Sequence, residues 1–257
     1  MRVRLFAYFP VLLSSLSGCA HDYSLAPPTN SEQVTVRIKV PSELEAEKME
    51  VMYRSSSCQR TRYDARGEPY QVDGFHGIEV LPQQQGNSDI YEAKLAKDGG
   101  GACRWHLANV TFGVAYQEPT PLGDGVRYGA GGGVVVIFDN HDSPRGGADV
   151  EVDGDLSIRK DYYPWVSESF IGGYKKEVSL VGRGDIYLKY RATHARQVYF
   201  EPILHSNLIV YSEQPKVHKK GLFTTFKYPD GSVVSDGRSE PDFFKLDDIR
   251  LASEKRK

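Results

Sequence analysis

Apolar residues occupy alternate positions at Val34, Val36, Ile38 and Val40, with Thr35, Arg37 and Lys39 between them. This period of two predicts a strand with one buried face. The same alternation, or short runs rich in Val, Ile, Tyr and Phe, predicts further strands at Glu50–Ser55, Ser57–Tyr63, Gly77–Leu81, Ile90–Ala96, Cys103–Tyr116 and Gly133–Phe138. Beyond residue 155 they resume at Glu177–Val181, Ile186–Thr193, Gln197–Ile203, Leu208–Ser212 and Gly221–Lys227. The separators are turn chemistry, such as Ala65-Arg66-Gly67, Gln85-Gly86-Asn87 and Gly99-Gly100-Gly101. Tyr228-Pro229-Asp230-Gly231-Ser232 sets an Asp-Gly turn between two β-prone stretches and predicts a hairpin. Helical periods are scarce. The best candidate is Ser42–Lys48, where Ser42 would cap and Glu45 would take the reciprocal place of a capping box. The pattern predicts an all-β, mainly antiparallel, β-sandwich-like fold, built as two small β-rich domains or as one large two-part sandwich.

The N-terminus carries a different signal. Arg2 and Arg4 precede an apolar stretch, Leu5 to Leu13, and Leu16-Ser17-Gly18-Cys19 ends it. The stretch is too short to span a bilayer, which takes roughly 20 apolar residues. Residues 1–18 therefore read as a lipoprotein signal peptide, with Cys19 as the acylated first residue. Resemblance to bacterial lipoproteins implies a diacylglyceryl thioether and an amide-linked chain on Cys19, and stable attachment needs two or more such chains. Ala20, rather than Asp, follows Cys19. In enterobacterial lipoproteins an Asp there favours inner-membrane retention, so this chain is expected at the outer membrane, on the periplasmic side. Residues 19–32, with a Pro pair and small polar residues, read as a tether. Residues 33–140 read as a sandwich-like domain, 141–158 as a linker or long loop, and 159–252 as a second β-rich domain, before a polar tail.

Composition narrows the function. Loss of Arg2 and Arg4 with the signal moves the formal charge from −2 to −4, which argues against nucleic acid as partner. Setting Cys19 aside leaves Cys58 and Cys103, an even pair in an oxidising compartment, and predicts a disulfide. GxSxG and HExxH motifs are absent and the seven histidines are scattered, so neither an enzyme nor a cofactor is expected. Asp149, Glu151 and Asp153 followed by Gly154 match the start of a calcium loop. Its twelfth position is Lys160, where a bidentate Glu is required, and no metal is expected. Gly129 to Gly133 lacks the Lys-Ser/Thr pair of a phosphate loop and reads as a bend before a buried strand. Tyr162, Tyr163 and Trp165 are the densest aromatic cluster, open to two readings: partner contact or internal packing.

Several segments together resemble a known family. They are Val51–Ser55 leading to Cys58, Asp98 to Trp105, Gly133 to Asp139, Tyr163-Pro164-Trp165, Tyr199 to Pro202 and Tyr228 to Ser232. They are similar to periplasmic lipoproteins encoded beside type VI secretion phospholipase effectors, which act as immunity proteins. The resemblance implies tight binding to a secreted lipase and occlusion of its active site. Without the resemblance, the same lipobox and β pattern fit a structural or envelope-assembly lipoprotein.

Overall fold

The computed structural model describes residues 22–184 and 187–255; Cys19 and the signal segment 1–18 lie outside the described residues. The earlier part of the chain forms β1 (Gln33–Lys39), β2 (Leu44–Ala46), β3 (Met49–Tyr63), β4 (Pro69–Val80), β5 (Gln83–Gln84), β6 (Ile90–Ala96), β7 (Asp98–Gly100), β8 (Trp105–Tyr116), β9 (Arg127–Gly131) and β10 (Gly133–Ile137). The later part forms β11 (Val150–Glu151), β12 (Leu156–Ser169), β13 (Lys175–Gly182), β14 (Tyr187–Arg191), β15 (Gln197–Leu204), β16 (Val210–Glu213), β17 (Thr225–Lys227), β18 (Val233–Val234) and the helix α1 (Phe243–Glu254).

The strands make two sheets. One runs β18-β17-β16-β12-β15-β1-β6-β5, with β13 and β9 branching from β12. The other runs β11-β14-β10-β8-β3-β4, with β2 and β7 also paired to β8. The β content follows the alternation and most pairings among the described residues are antiparallel, as expected, but both sheets are mixed. β1 is parallel to β15, β12 is parallel to both β15 and β16, and β10 is parallel to β14. Alternation fixes which side chains are buried and is silent on the direction of the neighbouring strand.

In β1, Val34, Val36 and Ile38 are fully buried. The alternate residues carry cross-strand ion pairs, Arg37 to Glu92 at 2.7 Å and Lys39 to Glu201 at 3.0 Å. The main core draws on both sheets. Phe112 of β8 meets Phe200 of β15 edge-on at 5.9 Å, and Tyr162 of β12 meets Phe200 at 6.5 Å. Strands from either side of the expected 141–158 division interleave, since β1 lies between β6 and β15 and β10 lies between β8 and β14. The stretches 33–140 and 159–252 thus share two sheets and one core.

A smaller cluster lies on the other face of β12. Tyr163, Val210 and Phe226 pack there with Leu246 of α1. Asp242 caps the helix, accepting from the backbone N–H groups of Phe244 and Lys245. The helix expected at Ser42–Lys48 is instead a turn leading into β2, with Leu44 paired to Tyr116. Of that segment Leu44 alone is fully buried, so there is no apolar stripe to hold a helix against the core. The Asp-Gly hairpin forms as expected, with β17 antiparallel to β18 and Tyr228 N–H donating to Ser232 O at 2.9 Å.

The reading of 19–32 as a free tether also needs correcting where the residues are described. Ala26 forms a parallel bridge with Gly100, and its N–H donates to Gly99 O at 2.9 Å. Trp105 Nε1 donates to Tyr23 O at 3.1 Å, and Leu25 packs on the main core. Gly100 and Gly101 have φ of +57° and +71°, and a Cβ on either would run into the leader backbone, at Ala26 O and Ser24 O respectively. The glycine triplet is a seat for another stretch of chain as well as a turn.

Candidate binding groove

The outer face of the smaller sheet is where polar chemistry gathers. Along β3, Met49, Val51 and Tyr53 point to the core, which leaves Glu50, Met52 and Arg54 on the outside. The register places Asn109 and Thr111 of β8 beside Met52 and Glu50. On β10, Val134 and Val136 belong to the core, while Val135 and Ile137 are fully buried on the opposite face. Something must therefore cover that face, and the segment 139–149 does.

Three sheet cations strap this segment down. Arg54 Nε pairs with Asp139 at 2.9 Å and its Nη2 donates to Asp142 O at 2.6 Å. Arg191 pairs with Asp142 at 3.2 Å and with Glu151 at 3.0 Å. Lys189 Nζ lies 3.3 Å from Asp149. From the strap itself, Arg145 stacks on the Tyr187 ring at 4.0 Å and reaches Glu50 at 3.3 Å. Hydrogen bonds to charged groups contribute about 1.5–3 kcal/mol each when partly buried, so the strap is held firmly without a hydrophobic core of its own.

Between strap and sheet runs an open groove. One part, about 470 Å³, is lined by Glu50, Met52, Glu79, Asn109, Pro144 and Arg145. The adjoining part, about 850 Å³, shares Met52 and Pro144 and extends past Arg54, Phe75 and His141 to Arg62 and Tyr70. The Asn109 amide nitrogen is buried at the floor with no hydrogen-bond partner among the described residues. Nearby, burial first and then Glu50 and Glu45 push the Glu47 carboxyl above its ordinary value of 4.5. The groove is thus apolar along its floor and charged along its rim, which suits an extended or protruding segment of another molecule.

Three of the histidines sit against carboxylates. His141 faces carboxylates at both ring nitrogens, Asp139 at 3.3 Å and Asp73 at 3.7 Å. His205 engages Asp161 at 2.7 Å and stacks on Tyr163 at 4.9 Å. His194 pairs with Asp153 in solvent. The acidic run 149–155 is absorbed into the fold: Asp149 holds Lys189, Glu151 holds Arg191, and Asp155 accepts from the backbone of Arg196 and Gln197. Among the described residues no group of three His, Cys, Asp or Glu could hold a metal ion.

Cys58 and Cys103 form the expected disulfide, with Cα atoms 5.3 Å apart. Of the aromatic cluster, Tyr162 is 1% exposed and Tyr163 is fully buried, so both serve packing and neither is offered to a partner. The Tyr163 hydroxyl sits 3.1 Å from both Asp247 and Arg250, and burial raises its pKa strongly. Trp165 donates to Ser212 Oγ at 2.8 Å and is partly buried. The groove residues were not singled out by sequence. Their signal was the continuous apolar run Gly133 to Phe138, which marks a strand covered on both faces and so requires a returning segment.

Comparison of the chain with models of protein families, with curated proteins and with solved structures finds no match.

Proposed function

We propose that the chain is an outer-membrane lipoprotein, acylated at Cys19 and facing the periplasm, that binds a type VI secretion phospholipase effector and blocks its active site. The groove under the 139–149 strap is the observation that carries this reading. It combines an apolar floor at Met52 and Phe75, a buried amide donor at Asn109, and a rim of both charges. A rigid sheet floor keeps a binding site ordered before its partner arrives, which lowers the entropic cost of association. The surrounding face can contribute to the roughly 1,200–2,000 Å² that specific complexes bury. The family resemblance supplies the partner, and the disulfide agrees with an oxidising compartment. We read the two sheets as a sandwich-like pair closed on their common core, a scaffold that holds the groove rigid.

The test is co-expression of the mature chain with the phospholipase encoded beside it, followed by co-purification and a lipase assay. A stable complex with suppressed activity, lost on Met52→Asp while the fold persists, is the expected result. Absence of a complex and undiminished lipase activity would sink the proposal.

A further inference from the structure

We propose that the hairpin formed by the far ends of β3 and β4, residues 59–72, is a membrane-contact element that rests on phospholipid headgroups. The inference rests on the acylation of Cys19 proposed above. It begins from how the hairpin and the leader are mounted. β3 pairs with β8 up to Arg54 opposite His106, then bulges between Ser55 and Arg60 and leaves the sheet with β4 as its only strand partner among the described residues. The bulge is fixed by the Cys58–Cys103 disulfide, by Ser55 Oγ donating to Cys103 O, and by Cys58 N–H donating to Ser55 Oγ at 2.9 Å. The leader grips the same turn from the other side, through Ala26 on Gly99 and Gly100 and through Tyr23 O on Trp105. Asp22 O lies 4.0 Å from Cys103 Sγ. Hairpin and anchor thus depart from one point.

The two reaches can be compared. Three residue steps join Asp22 to Cys19, and a fully extended chain covers about 10 Å in three steps. Five residues separate Cys58 from Tyr63, about 17 Å at the strand rise. A hairpin longer than the anchor, and mounted at its foot, has the reach to meet the lipid surface.

Its composition fits that surface. Residues 59–71 are exposed on both faces, Asp64 alone being half-buried. Tyr63 is 68% exposed, and Tyr side chains settle at the level of headgroups. Arg66, 87% exposed and 3.6 Å from Asp64, lies at the tip, Arg60 is held over Phe75 at 4.0 Å, and Arg104 is exposed on the turn that carries the leader. Cations so placed attract anionic lipid phosphates. The tip is ordered without help, since Asp64 Oδ1 accepts from Arg66 N–H and Glu68 N–H at 2.8 and 2.9 Å.

The experiment uses the full acylated chain in vesicles of phosphatidylethanolamine and phosphatidylglycerol whose headgroups carry a nitroxide quencher. Tyr63→Trp is compared with Leu81→Trp, with the parent chain as background. Leu81 is 60% exposed at the other end of β4, about 36 Å from Tyr70 along the strand. Mass spectrometry checks acylation of Cys19 in each sample. The expected result is quenching about twofold or more stronger at position 63 than at 81, given that interfacial residues sit at headgroup depth. Equal or absent quenching on an acylated chain overturns this proposal and leaves the anchor standing. Quenching absent in vesicles, with a position-63 emission shift when the phospholipase is added, assigns the hairpin to the protein partner and also overturns it. A chain not acylated at Cys19 overturns the anchor and this proposal together.

Discussion

Gly100→Ala tests whether the leader is part of the fold. Alanine at a φ of +57° costs about 1–2 kcal/mol in backbone strain. Its Cβ would also overlap the Ala26 carbonyl, so the leader must leave its seat. Departure removes the Ala26-to-Gly99 hydrogen bond and strips Trp105 Nε1 of its acceptor, each about 1 kcal/mol net. Exposing the partly buried Leu25 adds about 1 kcal/mol. The sum is a loss of about 4 kcal/mol, read by urea unfolding of the unacylated mature chain. Gly77→Ala is the control. Its Cβ meets nothing within 4 Å and its φ is ordinary, so it should be neutral or stabilising by about 0.5 kcal/mol. Hydrogen exchange should show the Ala26 amide losing protection in Gly100→Ala while the β8 amides keep theirs. In a chain shortened to begin at Asn30, Gly100→Ala should cost only the backbone strain, about 1–2 kcal/mol. A Gly100→Ala variant that loses less than about 1 kcal/mol and keeps Ala26 protected would refute the seated leader.

Other outcomes follow from the same geometry. Cys58→Ala/Cys103→Ala, which opens a link between residues 45 apart in sequence, should cost about 4 kcal/mol in urea unfolding; a loss below about 1 kcal/mol would mean that the bulge holds without it. Arg54→Met should cost about 2 kcal/mol and raise hydrogen exchange across 139–147, because Asp139 and the Asp142 carbonyl lose their donor; unchanged exchange there would show that the strap is held elsewhere. Glu47 has a folded pKa above 4.5, so the folded state binds the proton more tightly and the contribution of this group to stability falls as pH rises through 4.5. Glu47→Gln should then be more stable than the parent at pH 7 with the gain vanishing below about pH 4.5, and a gain that persists in acid would assign the effect to something other than titration.

A wet face made some strands legible, while β10 was legible as an unbroken apolar run. β1 and β6 could be read because Thr35, Arg37 and Lys39 interrupt the apolar positions, and because Glu92 and Lys94 do so opposite them. β12 was not, for three physical reasons. From Tyr162 it is buried on both faces, with Tyr162 toward one core and Tyr163 toward the other, so alternation is lost there. It opens within an acidic stretch that resembles a loop. It also contains Pro164, which normally argues against a strand interior. Here Pro164 falls between the two parallel partners of β12, since β15 pairs through Tyr162 and β16 begins at Trp165. Its missing N–H therefore costs no ladder bond on that side. The helix α1 had a readable start, Pro241-Asp242 before Phe243, with Leu246 and Ile249 following at helical spacing. The groove was less legible because its polar residues come from β3, β4 and β8 and a distant strap, and only pairing register brings them together.

The placement of β1 has a consequence for how the protein is made. The first strand of the fold lies inside the larger sheet, and its parallel neighbour, from Thr35 opposite Gln197 onward, is among the last strands synthesised. β12 likewise waits for both β15 and β16. Contacts this distant in sequence require large loops to close before any of them is rewarded, and such topologies fold in milliseconds to seconds. The core stays open until nearly the whole polypeptide is available. The proposed export, which needs a chain still unfolded as it crosses a membrane, would be served by this strand order.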